Sequence, residues 1–416
     1  MKTGGDVDDR VVITGIGALT PLGNSRAETW HGLTAGHSGV GPITQFDASG
    51  FRTRIAAEVT GFDPHESLTV KQVNRMARTS QLAVVAAREA AQDAGLGSDL
   101  SETEAAVIVN SAVSGFAEIQ DATEVFRSDG QRRMSPRFVP SALTNMPACE
   151  IAIDMGIHGP VNASALACAS GAYALLEARR LLLANEADVV FAGGTDAAIT
   201  PVMFEGLGAM HALSTRNDAP TEASRPFDAD RDGFVFGEGA VVMVLETLEH
   251  ARARGARVYA EVLGGALTSD AFNVVAPEPT GTYATAAIVR ALRTARLDPS
   301  DVEVICAHGT STKANDRTET LAIKQAFGSA AKGLQVTAPK SMTGHLIGAA
   351  GALAGMVCAL SISEGVIPPT INYATPDPEC DLDYVPNTAR ESAVRHAVTN
   401  AFGFGGQNCA VAFAAV

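Results

Sequence analysis

Short blocks of consecutive apolar residues recur along the chain, most of them closed by glycine and separated by stretches with helical spacing. The run over 11–17 reads as a buried strand entering a glycine turn, and 105–109, 161–165, 188–194, 241–245, 302–307 and 410–413 read as further strands. Uninterrupted apolar runs of this length suit strands covered on both faces. Between them, 81–94 (ending at Gly95), 173–183, 282–295 and 348–362 carry helical periodicity. Strands alternating with helices predict α/β layers with helices covering a sheet. The order also repeats: 168–183 and 348–362 are apolar, small-residue helices that each follow a strand and a glycine turn. This predicts two similar halves, 1–260 and 261–416, with no low-complexity linker between them.

A chain of 416 residues exceeds one ordinary core, in keeping with two fused halves. With 40 glycines and only 5% aromatic residues, the interior must be rich in alanine and glycine, so backbones approach closely. The net charge of −15 argues against nucleic-acid binding, since nothing supplies broad phosphate neutralisation. An acidic protein partner would need a local basic patch. The six cysteines show no CxxC spacing and read as reduced thiols. Residues 1–10 are polar and acidic, which predicts no signal peptide, and no run of 18 uninterrupted apolar residues suggests a membrane span. The expectation is a soluble cytoplasmic protein. Gly15-x-Gly17 is not a dinucleotide loop, because the third glycine is missing and Pro21 breaks the required helix.

Three separated stretches carry the candidate chemistry. Cys168, in Ala165-Leu166-Ala167-Cys168-Ala169-Ser170-Gly171, lies between a predicted strand and a predicted helix. A thiol at a helix N-terminus meets the positive end of the dipole, which predicts a lowered pKa. Its own N–H is then placed as half of an oxyanion hole. A buried structural thiol is the plain alternative, and it is the only reading for the other cysteines. His308 opens His308-Gly309-Thr310-Ser311-Thr312, and His345 closes Lys340-Ser341-Met342-Thr343-Gly344-His345. Two imidazoles beside a thiol supply donors for an enolate oxygen. A Cys-His-His zinc site is the rival, but the ligands lack local spacing, so no metal is expected. Lys340 lacks the glycines of a phosphate loop and is expected to pair with a buried carboxylate, for which Glu319 is the candidate. In the loop Asn400 to Asn408, Gly403 and Gly405 permit positive φ and close approach of a substrate. Phe404 between them is expected to swing as a gate while its N–H completes the oxyanion hole.

With Leu213-Ser214-Thr215-Arg216-Asn217, Ser224-Arg225-Pro226-Phe227-Asp228 and Gly237-Glu238-Gly239 added, the chain from Val11 onward resembles the β-ketoacyl-acyl carrier protein synthases of the elongating, discrete type. The resemblance implies a thiolase-like fold: two similar α/β halves stacked as five αβαβα layers, normally dimeric. It implies that Cys168 accepts an acyl group from a carrier protein, with the Cys168 and Phe404 N–H groups holding the oxyanion. His308 and His345 would bind the malonyl thioester carbonyl as CO2 leaves and a decarboxylative Claisen condensation follows. Lys340 and Glu319 match a supporting ion pair, and Thr310 and Thr312 match contacts to the pantetheine arm. Substrates ride on the carrier protein's phosphopantetheine, so no further cofactor is expected.

The departures from the family pattern cluster. Leu166 and Gln407 stand where threonine is usual, Asn273 and Val275 where histidine and threonine are common, and Ala354 where many members have glutamate. They bear on the acyl pocket, the gating loop, a pantetheine contact and a monovalent cation. Lys313-Ala314-Asn315-Asp316-Arg317 resembles aromatic polyketide ketosynthases more than the fatty-acid form. This inclines the reading toward a polyketide or polyene pathway, with housekeeping fatty-acid synthesis as the alternative. The partner is then a second copy, or a cysteine-less homologue of the chain-length-factor kind. Cys168 argues against the chain itself being such a factor, and the paired histidines argue against a hydrolase or non-condensing acyltransferase. For docking an acidic carrier protein, Lys71, Arg75 and Arg78 share one face if 70–91 is helical, and Arg127, Arg132, Arg133 and Arg137 form a second cluster.

Overall fold

The computed structural model describes residues 10–129 and 133–416, so the expectations for the N-terminal segment before Arg10 and for Arg132 lie outside the described residues. Ten strands form one sheet. In chain order these are β1 (Val11–Leu19), β2 (Ala105–Asn110), β3 (Val161–Asn162), β4 (Val189–Asp196), β5 (Gly239–Thr247), β6 (Ala260–Ser269), β7 (Val304–Cys306), β8 (Gln335–Thr337), β9 (His396–Gly403) and β10 (Gln407–Ala414). Their spatial order is β8-β7-β9-β10-β6-β1-β5-β4-β2-β3. β1 and β6 join the two sides through only Val12 opposite Glu261 and Ile13 opposite Ala260.

Each side has the same topology. Reading from its outer edge inward, the third strand of the half comes first, then its second, fourth, fifth and first. The senses agree as well: β2 runs parallel to β3 and β4, as β7 does to β8 and β9, and the remaining neighbours within each half are antiparallel. The main helices correspond too. α1 (Arg78–Asp93), α2 (Met146–Met155) and α3 (Ser170–Leu183) in the first half match α4 (Thr282–Ala295), α5 (Lys313–Phe327) and α6 (Ala350–Glu364) in the second.

The strands alternate between two buried faces. In β5, Val241, Met243 and Leu245 face the central core that holds α3 and α6, while Ala240, Val242 and Val244 face the layer of α1 and α2. In β10, Cys409, Val411 and Phe413 face the centre, and Ala410 and Ala412 face α4 and α5. The layers therefore run helix, sheet, helix, sheet, helix. From Ala350 to Ser361 every residue of α6 is buried, as expected of a helix sealed between two sheets. Together with the turn before it, α6 forms the one described helical segment long and apolar enough to cross a membrane, Ile347–Glu364, and this segment is mostly buried in the middle layer. At the start of this layer the helices touch through glycine: a Cβ on Gly171 would lie 2.6 Å from the Gly348 carbonyl, and one on Gly351 would lie 2.5 Å from the Ala172 nitrogen.

Two expected elements differ. The strand over 161–165 is only Val161–Asn162, because the Ser164 N–H donates to the Asn110 side chain (2.7 Å) instead of a neighbouring strand. The helix over 70–91 is broken into Val70–Val73 and α1, with an extended residue, Ala77, capping the latter.

Candidate active site

Cys168 sits on a tight elbow between β3 and α3. Leu166 leaves the extended region, Ala167 adopts φ +46°, and Cys168 lies in the short turn Ala167–Ala169 that leads into α3. Ser170 fastens the elbow, its hydroxyl donating to the Ala167 carbonyl (2.7 Å) and accepting from the Leu166 N–H (2.9 Å). The expected lowering of the thiol pKa is not what the structure shows. Burial pushes the Cys168 thiol up to about 11, outweighing the Lys340 charge and the N–H groups of Phe404 and Cys168, which favour the thiolate. Loss of water around the sulfur decides the balance.

The N–H groups of Phe404 and Cys168 both point at the sulfur. The Phe404 ring is 40% exposed. Gly403 is required by contact, since a Cβ there would stand 2.6 Å from the Leu166 carbonyl. Gly405 plays a different part from the one expected. It does not line the cavity; it forms the turn tip with φ +89° and donates its N–H to the Val274 carbonyl at 2.9 Å.

His308 directly follows the buried run that ends β7, and His345 follows a one-turn helix, Lys340–Thr343. Their rings lie 5.5 Å apart at 84°. The backbone N–H of Ile347 donates to His345 Nδ1 (3.1 Å), so the neutral ring carries its proton on Nε2. That Nε2 is buried and has no partner. Lys340 Nζ faces His308 Nδ1 at 3.5 Å, which sets the same tautomer there. Burial and the Lys340 charge hold both imidazoles well below 6.5, so both are neutral donors at physiological pH.

Lys340 and Glu319 are both buried beside His308, but they make no direct ion pair. Lys340 Nζ donates to the His308 carbonyl (2.5 Å), while the Glu319 carboxylate accepts the N–H groups of His308 and Gly309, each at 2.7 Å. The two charges act on each other through space and grip one peptide segment from opposite sides. Thr310 and Thr312 share a hydroxyl–hydroxyl bond (2.9 Å) and both line the cavity, with Thr312 also capping α5.

The cavity has a volume of about 1070 Å³. Cys168, His345, Gly403 and Phe404 border it; an apolar wall includes Val113, Met203, Leu207 and Ile347, and a polar wall includes Arg231, Thr310, Thr312 and Lys313. Among the described residues, no three His, Cys, Asp or Glu side chains are placed to share a metal ion, so the zinc alternative has no geometry behind it.

The basic residues divide. Arg75 is bound to buried Glu150, and Arg78 forks onto buried Glu238 (2.9 and 2.7 Å) and the Val59 carbonyl. The break at Ala77 removes the single helix face expected for them, and their charge is matched from within. Lys71 and Arg127 are exposed. Arg133 pairs with Asp129 (3.2 Å), and Arg137 donates to the Asn74 carbonyl (2.9 Å). Sequence reasoning missed Asp196, a buried carboxylate beside the elbow. Its only sequence signal was its place at the end of an apolar strand, after Gly193-Gly194-Thr195.

Comparison with known proteins agrees with this geometry. Family models described as the N-terminal and C-terminal domains of β-ketoacyl synthase match residues 8–251 and 259–374. The chain is 46% identical to "3-oxoacyl-[acyl-carrier-protein] synthase 2" of Synechocystis sp. over 97% of both chains. It is 45% identical to the like-named protein of Coxiella burnetii, over 96% of this chain and 97% of the other. Among solved structures it resembles the ishigamide ketosynthase/chain length factor, with TM-score 0.91 and 37% identity over 98% of this chain and 99% of the other. It also resembles a type II polyketide ketosynthase solved with its acyl-carrier protein, with TM-score 0.90 and 33% identity over the same shares. A folded thiol elbow, paired neutral imidazoles and these likenesses agree: the chain belongs to the β-ketoacyl synthase family.

Proposed function

We propose that the protein extends an acyl chain by decarboxylative condensation, with Cys168 as the nucleophile. In the first half-reaction the Cys168 sulfur attacks an acyl thioester carried on the phosphopantetheine of an acyl carrier protein. The N–H groups of Cys168 and Phe404 hold the oxyanion; the carrier's thiol leaves and takes the proton that Cys168 gives up. In the second, malonyl carrier protein enters along Thr310 and Thr312, and the Nε2–H groups of His308 and His345 bind its thioester carbonyl. The C–CO2 bond breaks and its electron pair is held as the enolate. The new carbon–carbon bond then forms at the acyl carbon, and Cys168 leaves as thiolate and is reprotonated. Two neutral donors aimed at a developing oxyanion are worth about 10²-fold or more each. No metal or redox cofactor enters these steps. The observation that carries the reading is the buried, unpartnered Nε2 of His345 facing the cavity that holds Cys168.

Intact-mass analysis after incubation with acyl carrier proteins of several chain lengths, then with malonyl carrier protein, tests this. An adduct absent in Cys168→Ala and discharged as β-ketoacyl product is expected; no adduct from the wild type would remove the reading. Preferred chain length separates two pathways. The segment Lys313 to Arg317 favours a polyketide or polyene pathway, whereas the 43–46% identity to 3-oxoacyl-[acyl-carrier-protein] synthases favours fatty-acid elongation. We also propose a dimer, with a second copy or a cysteine-less homologue, seated on β3. This strand ends the sheet with its outer edge unpaired and Val161 exposed, a surface that isolated sheets normally cover. Six free cysteines fit a reducing cytoplasm.

A further inference from the structure

The two halves place equivalent turns at the start of the central helices. In the first, Ala167 (φ +46°) precedes Cys168; in the second, Ile347 (φ +50°) precedes Gly348. A β-branched residue at positive φ is strained and persists only where its surroundings fix it. What fixes Ile347 comes from the other half of the molecule. Asp196, the last residue of β4, is fully buried, and its carboxylate accepts the Gly348 N–H at 2.7 Å. The same carboxylate accepts the Ser111 hydroxyl (2.6 Å) and the N–H groups of Ala112 (3.1 Å) and Val113 (3.0 Å). No described ion pair involves it; four donors satisfy two oxygens.

Gly348 is one residue from Ile347, whose N–H sets the tautomer of His345. We infer that Asp196 is a positioning residue for His345: its carboxylate locks the turn at 347–348, so that the His345 Nε2–H stays aimed into the cavity. The inference rests on the role given to His345 above. Asp196 makes no hydrogen bond to the Cys168 elbow, which is fastened by Ser170 and approached by Phe404. Its charge raises the thiol's pKa through space, so Asp196→Asn favours the thiolate and acylation is not expected to fall. Burial pushes the Asp196 carboxyl up to about 6 against the pull of its donors, which still leaves it ionised at neutral pH. An amide in its place keeps the shape but accepts through one oxygen only, leaving two of the four donors facing an NH2 group.

The test uses the full chain and measures the half-reactions separately in Asp196→Asn. Acylation of Cys168 should stay within about threefold of wild type, while CO2 release from malonyl carrier protein and condensation should fall by about tenfold or more, in kcat rather than KM. Equal loss in both half-reactions, or loss in neither, would overturn the inference. Ser111→Ala removes one donor and leaves the carboxylate; the same split is expected at about two- to fivefold. It carries the test if Asp196→Asn fails to fold, and an unsplit result there is equally fatal. His345→Ala serves as the control. If CO2 release survives it, the assignment of His345 fails; if it is lost while Asp196→Asn behaves as wild type, only the role of Asp196 fails.

Discussion

The elbow at Cys168 and the elbow at Gly348 are one turn built twice, in halves with the same strand order and the same sense of every neighbour. One carries a thiol into a cavity, and the other has no side chain at all. The last residue of the strand that approaches each elbow differs in a complementary way. β9 ends in Gly403, which lets the Phe404 N–H reach the sulfur, while β4 ends in Asp196, whose carboxylate fills the space a Gly348 side chain would need. The repeated topology thus places two helix starts at the centre. One opens onto the cavity, and the other has its Gly348 N–H satisfied internally by Asp196.

Cys168→Gly breaks the comparison most sharply, because it makes the first elbow a copy of the second. It should lower condensation by about 10³-fold or more while leaving the melting temperature within a few degrees. His308→Ala and His345→Ala, each alone, should lower condensation about 10²-fold or more, with the acyl adduct on Cys168 still forming by intact mass. The reverse of the first change, Gly348→Ala, puts a methyl 2.5 Å from Asp196 Oδ2. We expect it to destabilise the fold by about 2 kcal/mol or more in urea titrations, because the neighbours are backbone and a fixed carboxylate.

Lys340→Met removes a cation that favours the Cys168 thiolate, so alkylation at pH 9 should slow severalfold. In the wild type, alkylation should keep rising with pH toward the thiol's value of about 11. The smallest effect concerns the imidazoles. Both histidines bind protons less readily folded than at the ordinary 6.5, so the stability they contribute is complete above that pH. It is lost as pH falls below 6.5, because the unfolded chain takes up protons first. Asp196, raised to about 6, works the other way in the same window, so the check is comparative. The urea midpoint of a His308→Gln, His345→Gln double variant should fall less from pH 7.5 to pH 5.5 than that of the wild type.

Much of this was legible because the chemistry sits on local patterns. Cys168 among small residues, the two histidines in glycine and threonine turns, and the 400–408 loop were all found from neighbours in sequence. The helices over 282–295 and 173–183 were likewise visible, since their apolar spacing is set within the segment. What failed depended on distant partners. The helix over 70–91 breaks with no glycine or proline inside it, where Arg75 and Arg78 are drawn to Glu150 and Glu238. The thiol pKa followed burial, which one turn of sequence does not reveal. Lys340 and Glu319 were expected to pair with each other, but their partners are backbone atoms of His308 and Gly309. Asp196 was invisible because its four donors come from two other segments, 111–113 and Gly348.

The sealed position of α6 bears on how the chain is made. While it emerges from the ribosome, this segment has the length and composition of one bound for a lipid bilayer. Its place in the middle layer depends on two walls, α3 with the inner faces of β4 and β5 on one side and the inner faces of β9 and β10 on the other. The first wall is synthesised before the greasy segment, whereas β9 and β10 follow it and close over α6 afterwards. Reversing the order of the halves by circular permutation would expose α6 first, and aggregation or capture by membranes during expression is the expected result.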